Sequence, residues 1–300
     1  MTKNEMDLLF KQAAQIKKET KAGKYRSDLV GKTLVMIFEK PSLRTRLSFE
    51  IGMTQFGGYA VYLAPADIGL GLRESISDTA KVASRMGDCL MARVFSHQTI
   101  CELAVSSLVP VINGLSDWEH PCQILADLYT IWEIKKELTG LKLTFIGDGE
   151  NNVCHSLCLA AALWGMKLCV AAPKGYMMKR EIITHAKSLV HKTHGQIEET
   201  TNPYKAVIGA DIVYTDTWVS MGDEGEKEKR TKVFQPYQVD QNLMQLAKPD
   251  ALFMHDLPAY RGHEVTSEVI DGPQSVVFQQ AENRLHVQKA LLLRLLMQSH

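Results

Sequence analysis

The stretch FEKPSLRTR, residues 38–46, joins a run typical of a buried strand to a run with helical character that closes at the glycine pair 57–58. The helix begins around Ser42, so its first main-chain N–H groups lack partners within the helix. The helix dipole adds positive potential at this point, and two arginines stand beside it. We therefore predict an anion site, with phosphate as the expected guest. An ordinary helix cap with solvated arginines is the alternative for this stretch alone.

The same alternation of short β-rich runs and helical runs continues along the chain. It predicts parallel sheets flanked by helices, an α/β fold in which sites form at the carboxyl ends of strands. Strands are expected at 33–38, 59–63, 89–94, 109–113, 141–146, 167–171, 212–215 and 251–254. Helices are expected at 44–56, 75–86, 100–106, 122–138, 152–164, 178–191, 241–247 and 281–297.

A length of 300 residues exceeds one typical domain and predicts two. We place the boundary where a long helix ends at Gly140, giving domains at 1–139 and 140–280. Each is expected to hold a parallel sheet, and a C-terminal helix, 281–300, is expected to pack back on the first. The polar segment 217–236 predicts a mobile lid, because so long a loop in a compact domain is usually functional or disordered.

Charge and cysteine usage narrow the class of protein. The formal net charge is zero, which argues against binding to nucleic acid or to a membrane surface. The longest apolar runs are too short to span a bilayer, and the N-terminus lacks a signal-peptide pattern, so we expect a cytoplasmic protein. Six scattered cysteines without a CxxC pair predict buried thiols in a reducing compartment. A metal site at Cys154, His155 and Cys158 is the alternative, and it lacks a second ligand cluster.

Polar residues stand at several strand ends and helix starts in the first half of the chain. Arg93 closes a predicted strand, where it is suited to an anion or to a surface ion pair. His120 and Gln123 are three residues apart around Pro121 at the start of a long helix, so both can face one site. Arg284 lies near the start of the last helix. Each of these has a plain alternative as cap or loop chemistry.

The second half carries a different set. Residues 147–152, GDGENN, follow a strand and open a helix, but they lack the third glycine of a dinucleotide fingerprint and an acidic residue near Val170. A nicotinamide dehydrogenase is therefore disfavoured. Asp216 follows another strand and is placed to hold an ammonium group, or merely to cap its loop. The segment 255–258, HDLP, follows the last predicted strand.

Taken in order, these segments resemble the carbamoyltransferases of aspartate and ornithine. The resemblance rests on Ser-x-Arg-Thr-Arg at 42–46, Arg93 and His-Pro-x-Gln at 120–123. Asn152, Asp-Thr-Trp-Val-Ser-Met-Gly at 216–222 and His-x-Leu-Pro at 255–258 are similar to the ornithine branch. The resemblance runs from about residue 32 to residue 290.

The resemblance implies transfer of the carbamoyl group of carbamoyl phosphate to the δ-amine of L-ornithine, giving L-citrulline and phosphate. It implies a homotrimer or a multiple of trimers, with neither metal nor organic cofactor. It assigns catalysis to Arg93, His120 and Asp256. Carbamoyl phosphate would be bound by Ser42, Leu43, Arg44, Thr45, Arg93, His120, Gln123, Asp256, Leu257 and Arg284, and ornithine by Asn152, Asp216, Ser220 and Met221. Gly69 falls at the inter-subunit position.

Three residues depart from the family pattern: Leu43 stands for Thr, Gly69 for Gln or His, and Asp256 for Cys. A carboxylate beside the δ-amine favours the charged form of the amine. We therefore expect slower turnover, or a higher pH optimum, than in relatives with Cys. Two alternatives remain: a carbamoyltransferase for another amine, and a degenerate carbamoyl-phosphate-binding regulatory protein.

Overall fold

The computed structural model describes residues 2–219 and 224–297. The chain forms two compact units. One contains the described residues up to Tyr129 together with those from Glu282 onward, and the other is Thr130–Ala281. The domain limits at 139 and 280 stay a prediction.

The first unit is an α/β layer built on a parallel sheet with strand order β2-β1-β3-β4. Phe38, which ends β1, pairs with Arg93, which ends β3, so their carboxyl ends are neighbours. The elements are α1 (Lys3–Lys21), β1 (Thr33–Phe38), α2 (Leu43–Thr54), β2 (Tyr59–Leu63), α3 (Pro65–Ile68), α4 (Ile76–Met86), β3 (Cys89–Arg93), α5 (His97–Ser106), β4 (Val111–Leu115) and α6 (Pro121–Lys135), which continues past Tyr129.

The second unit has a parallel sheet with strand order β7-β6-β5-β8-β9. Its core includes Val207, Val213, Phe253 and Val265. The elements are β5 (Lys142–Ile146), α7 (Asn152–Trp164), β6 (Lys167–Ala171), α8 (Arg180–Thr193), β7 (Gln196–Thr200), α9 (Pro203–Val207), β8 (Ile212–Thr215), α10 (Lys227–Phe234), α11 (Gln241–Met244), β9 (Leu252–Met254), α12 (Ser267–Ile270) and α13 (Val277–Met297), which continues past Ala281.

The predicted fold class is confirmed, and the eight expected strands are present within two residues of their expected limits. Strand β7 was not predicted. Its sequence, QIEET, leaves all five side chains exposed or half-buried at the edge of the sheet, so it lacks the apolar run that marks the other strands. Hydrogen bonding to β6 decides its conformation.

The segment 217–236 differs from the expected structureless loop. Residues Glu224–Glu226 form a 3₁₀ turn and α10 follows directly, while residues 220–223 lie outside the described part of the chain. Arg230 of α10 donates to Asp148 Oδ2 at 2.7 Å and to the carbonyl oxygen of Trp218 at 3.2 Å. The expectation of an irregular loop is therefore wrong over these residues, and lid movement stays a prediction.

Helix α13 packs on the first unit from Glu282 onward, as predicted. Asn283 accepts a hydrogen bond from Lys17 Nζ at 2.8 Å, and Arg294 pairs with Glu5, so both contacts join α13 to α1. Among the described residues, no helix has the length and low polarity needed to cross a bilayer.

Candidate active site

The turn between β1 and α2 is a capped helix start. Ser42 is the N-cap, and its Oγ accepts from the main-chain N–H of Thr45 at 3.3 Å. Leu43 is the first helical residue and Arg44 is half-buried behind it. The expected helix N-terminus is therefore present, with its dipole directed at this turn.

Arg284 of α13 joins this turn to the start of α6. One terminal nitrogen donates to Thr45 Oγ1 at 2.7 Å and the other to Gln123 Oε1 at 2.9 Å. Gln123 in turn donates through Nε2 to Asp127 Oδ1 at 2.8 Å. All four side chains are buried. Because Thr45 Oγ1 accepts from the guanidinium, its own proton can point elsewhere and donate to a bound anion.

Positive charge is concentrated at the carboxyl ends of β1 and β3. Arg93 is buried, and its carbonyl oxygen accepts from the N–H of Glu39 at 2.9 Å. Lys40 is also buried and lies over the Phe95 ring at 4.7 Å. Burial, and then the charge of Arg93, lower the pKa of Lys40. The position of Lys40 directly after Glu39 at the end of β1 makes it a further candidate for the predicted anion site, which the motif had not indicated.

His120 precedes α6 directly, and its side chain is buried. Its carbonyl oxygen accepts from the N–H of Gln123 at 3.0 Å, which places both residues at the same helix end, as the sequence predicted. In the first unit, direct bonds join Ser42, Thr45, Gln123 and Arg284.

In the second unit, Asp216 follows β8 and is held by two donors. Asn151 Nδ2 donates to Oδ2 at 2.7 Å, and the N–H of Thr217 donates to Oδ1 at 2.6 Å. Asn151 is also the N-cap of α7. The resemblance assigns Asn152 to ornithine; Asn152 is the first residue of α7 and is half-buried, and its role stays a prediction. The cap position just before α7 was the signal for Asn151.

Burial raises the pKa of the Asp216 carboxyl well above its usual range, and the neighbouring charge of Asp256 raises it further. Polar atoms of Asp216, His255 and Asp256 all lie within 4.8 Å of one another. The three residues follow the neighbouring strands β8 and β9, which explains why the fold brings them together.

His255 is fixed through both ring nitrogens. Nδ1 accepts from the N–H of Leu257 at 2.9 Å, and Nε2 lies 3.2 Å from Glu264 Oε1. The same Glu264 oxygen accepts from the N–H of Tyr260 at 2.6 Å. Leu257 has a left-handed φ of 58° and precedes a cis peptide bond to Pro258. The motif indicated this segment, but nothing in the sequence pointed to Glu264.

Models of two protein-family domains match this chain. The aspartate/ornithine carbamoyltransferase carbamoyl-phosphate-binding domain matches residues 1–133, and the Asp/Orn-binding domain of the same family matches residues 139–295. The chain belongs to the aspartate/ornithine carbamoyltransferase family.

Individual carbamoyltransferases are similar over nearly the whole chain. A protein named ornithine carbamoyltransferase from Methanosarcina acetivorans is 53% identical over 296 residues, covering 99% of this chain and 96% of that protein. A relative of the same name from Anoxybacillus flavithermus is 52% identical, covering 98% and 94%. The solved ornithine carbamoyltransferase of Pyrococcus furiosus superposes with a TM-score of 0.97 at 49% identity, covering 100% and 96% of the two chains.

Leu43 and Gly69, two of the departures from the carbamoyltransferase pattern, lie in the first unit. The side chain of Leu43 is 69% exposed, so the substitution leaves the helix start and its main-chain donors unchanged. Gly69 ends α3 with a left-handed φ of 51°, a conformation that glycine adopts at little cost. The structure therefore accommodates both.

The third departure, Asp256, lies in the second unit with Leu257. Asp216, His255 and Asp256 have donor atoms close enough for a metal ion, but both nitrogens of His255 are already engaged. A metal would have to displace the Leu257 N–H or Glu264. The cluster of Asp216, His255 and Asp256 therefore fits a proton or an ammonium group better than a metal ion.

Two assigned residues of the carbamoyltransferase pattern, Ser220 and Met221, lie outside the described residues. Among the described residues of the second unit, Thr217, Trp218, Tyr260, His263 and Glu264 line part of a cavity of about 190 Å³. The Trp218 side chain is buried, so it anchors the chain that leads from β8 to residue 219.

Proposed function

We propose that this chain transfers the carbamoyl group of carbamoyl phosphate to the δ-amine of L-ornithine, giving L-citrulline and phosphate. The family uses either aspartate or ornithine as acceptor, and the acidic cluster decides between them. Asp216 and Asp256 lie together, with Glu264 behind His255. Carboxyl groups at this spot disfavour the side-chain carboxylate of aspartate and favour the ammonium groups of ornithine.

In the first unit, carbamoyl phosphate is held at the start of α2. The donors are the main chain at Leu43 and the side chains of Ser42, Arg44, Thr45, Gln123 and Arg284. Arg93 and His120 bind the carbonyl oxygen, where attack by the amine builds negative charge. Fixed donors that meet developing charge are an effective form of catalysis because they need little reorganisation. Lys40 adds positive charge that favours the leaving phosphate.

In the second unit, Asn152, Asp216, Ser220 and Met221 bind ornithine, and Asn151 orients Asp216. The nucleophile must be a neutral amine, yet an alkylammonium such as that of Lys has a pKa near 10.4. A proton must therefore leave before attack. Asp256 is the proposed acceptor, and its Oδ1 lies 3.4 Å from His255 Nδ1.

The assembly is proposed to be a homotrimer or a multiple of trimers, with Gly69 near a neighbouring site. An exposed apolar stripe on α2 supports association. It consists of Leu43, Leu47 and Ile51, spaced four residues apart and 69%, 45% and 39% exposed. Light scattering of the purified protein tests this: a mass of one chain, 33.6 kDa, would exclude the trimer.

We also propose a cytoplasmic role in arginine biosynthesis. The solved Campylobacter jejuni relative is described as anabolic, with 42% identity and a TM-score of 0.94. Five of the six cysteines are buried free thiols, and Cys101 is an exposed one, which suits a reducing compartment.

The test is citrulline formation from carbamoyl phosphate and ornithine, run beside aspartate, putrescine and N-acetylornithine. Product with ornithine alone is expected, because only ornithine offers both a free α-amino-acid group and a second amine. Product from putrescine or N-acetylornithine would favour the alternative acceptor. Binding of carbamoyl phosphate without product from any amine would identify a regulatory binding protein.

A further inference from the structure

A row of four buried side chains in the first unit ends at a carboxylate to which the proposed reaction assigns no role. Thr45 Oγ1 accepts from Arg284 at 2.7 Å, and Gln123 Oε1 accepts from the same guanidinium at 2.9 Å. Gln123 Nε2 then donates to Asp127 Oδ1 at 2.8 Å. Arg284 is 2% exposed and the other three residues are 0% exposed, so these contacts are shielded from solvent.

The orientation of the Gln123 amide is determined by its two neighbours. Gln123 and Asp127 are four residues apart on α6, which places them on one face of the helix. A guanidinium has only donors, so the amide must present its oxygen to Arg284. A carboxylate has only acceptors, so the amide must present its NH₂ group to Asp127. Turned by 180°, the amide would place donor against donor and acceptor against acceptor.

Asp127 can therefore influence the anion site without touching an anion. If it no longer accepted from Gln123, the NH₂ group of Gln123 would lose its acceptor in a buried place. The cost of such a group is similar in size to the net strength of a charge-assisted hydrogen bond. A rotation of the Gln123 side chain that relieves this cost moves its oxygen away from Arg284, and the guanidinium is then no longer fixed on Thr45.

We propose that Asp127 is a positioning residue for carbamoyl phosphate, because it holds the Gln123 amide in the orientation that receives Arg284. The guanidinium then stays on Thr45 Oγ1 and leaves the proton of that hydroxyl group for the phosphate. The proposal rests on the proposed binding of carbamoyl phosphate at the start of α2. Asp127 itself touches neither the phosphate nor the reacting atoms in this arrangement.

Calorimetric titration of the full chain with carbamoyl phosphate provides the first test. We expect Asp127→Asn to weaken binding by about three- to tenfold, because an amide at position 127 both accepts and donates and no longer selects one orientation of Gln123. The matched control is Asp211→Asn in the second unit. Asp211 is also buried, and it accepts from the Lys142 N–H and from Lys248. This control should lose stability without losing affinity. Asp127 also interacts with groups other than Gln123, so lower stability alone would not support the proposal.

Exchanging the amide and the carboxylate gives a readout that a purely structural role would not change. Gln123→Glu alone places two carboxyl groups at hydrogen-bond distance and should weaken binding strongly. Adding Asp127→Asn restores the net charge and the pattern of donors, since the new amide can donate to one oxygen of the new carboxylate while Arg284 donates to the other. We expect the double variant to bind carbamoyl phosphate at least about tenfold more tightly than Gln123→Glu. Two losses that simply add would contradict the proposal.

Crystal structures of the ligand-free parent and variants test the positioning without substrate. Arg284 should leave Gln123 in Asp127→Asn, and should contact Thr45 and position 123 together in the double variant. Unchanged contacts of Arg284 in Asp127→Asn, or an affinity equal to that of the parent, would overturn the proposal. If Asp127→Asn does not fold, the double variant set against Gln123→Glu decides.

Citrulline formation is assayed separately, so that failure of the proposed function can be recognised. A parent that binds carbamoyl phosphate but forms no product contradicts the function and not the role of Asp127. If the parent does not bind carbamoyl phosphate, the proposed function fails, and the crystal structures alone decide whether Asp127 positions Arg284.

Discussion

Arg284 donates to the hydroxyl oxygen of Thr45 at 2.7 Å, although the two residues are 239 positions apart in the chain. The same guanidinium reaches Gln123 at 2.9 Å. One side chain from α13 thus fixes the start of α2 and the start of α6. A planar fork with several donors can make both bonds together, which a point charge cannot.

The Arg284→Lys variant tests this fork. The ammonium cannot hold Thr45 and Gln123 in the same geometry, so one charge-assisted bond, worth roughly 1.5–3 kcal/mol, is lost. We expect kcat/KM for carbamoyl phosphate to fall by about 10- to 100-fold. Steady-state kinetics with Arg294→Lys as control, on the same helix but paired with Glu5, provides the comparison. Equal kinetics for the two variants would show that the paired hydrogen bonds of Arg284 do not contribute to the use of carbamoyl phosphate.

The Arg230→Met variant tests the anchoring of α10. Arg230 and Asp148 form an ion pair with only 8% and 5% of their side chains exposed, so the substitution leaves Asp148 buried without its guanidinium. We expect a loss of roughly 3–5 kcal/mol in the free energy of unfolding, measured with urea. The matched control is Arg261→Met, whose pair with Asp271 is 40% and 59% exposed and should matter by about 0–1 kcal/mol. Similar losses in both variants would contradict this account.

The Lys289→Met variant tests how the buried charge of Lys289 affects stability. Lys289 donates to Gln55 Oε1 at 2.8 Å and to Thr20 Oγ1 at 3.0 Å, and within the described residues no carboxylate lies at ion-pair distance. Burial lowers the pKa of Lys289 to about 8, below its value of about 10.4 in an unfolded chain. The folded state therefore resists the charged amine. This penalty is complete below pH 8 and disappears as pH rises toward 10.4, because the unfolded chain then binds more protons.

At pH 7, Lys289→Met should raise the melting temperature by about 2–4 °C for each kcal/mol relieved, less what the lost hydrogen bonds contribute. The gain should shrink as pH rises above 8. Lys18→Met, an exposed change on α1, serves as control in the same scanning calorimetry. A lower melting temperature for Lys289→Met at every pH would mean that the hydrogen bonds outweigh the cost of charge burial.

The Asp256→Cys variant tests the effect of the carboxyl pair on catalysis. Burial and the charge of Asp256 both raise the pKa of Asp216, so removing Asp256 should lower it. The acid limb of the pH profile of kcat/KM for ornithine should then move to lower pH. Asp250→Asn should leave the parent profile unchanged. A superimposable profile for Asp256→Cys would show that the departure from Cys has no kinetic effect.

Local sequence was sufficient to predict the central strands and the helix start at Ser42, because buried apolar runs and capping residues act through near neighbours. Strand β7 escaped prediction because an edge strand needs few apolar side chains. Glu264 escaped for a different reason: its contact with His255 arises from the packing of a loop after β9, and no spacing in the sequence encodes it. The position of Asn151 before α7 marked its side-chain amide, but the sequence did not show that this amide reaches Asp216.

The order in which the two units draw on the chain has a consequence for synthesis. Thr130–Ala281 is continuous, so a growing chain can complete the second unit soon after residue 281 leaves the ribosome. The first unit needs α13, which supplies Arg284 to Thr45 and Lys289 to Gln55. The half of the protein made first is therefore finished last. The turn proposed to bind phosphate acquires Arg284 only after every residue of the second unit has been made.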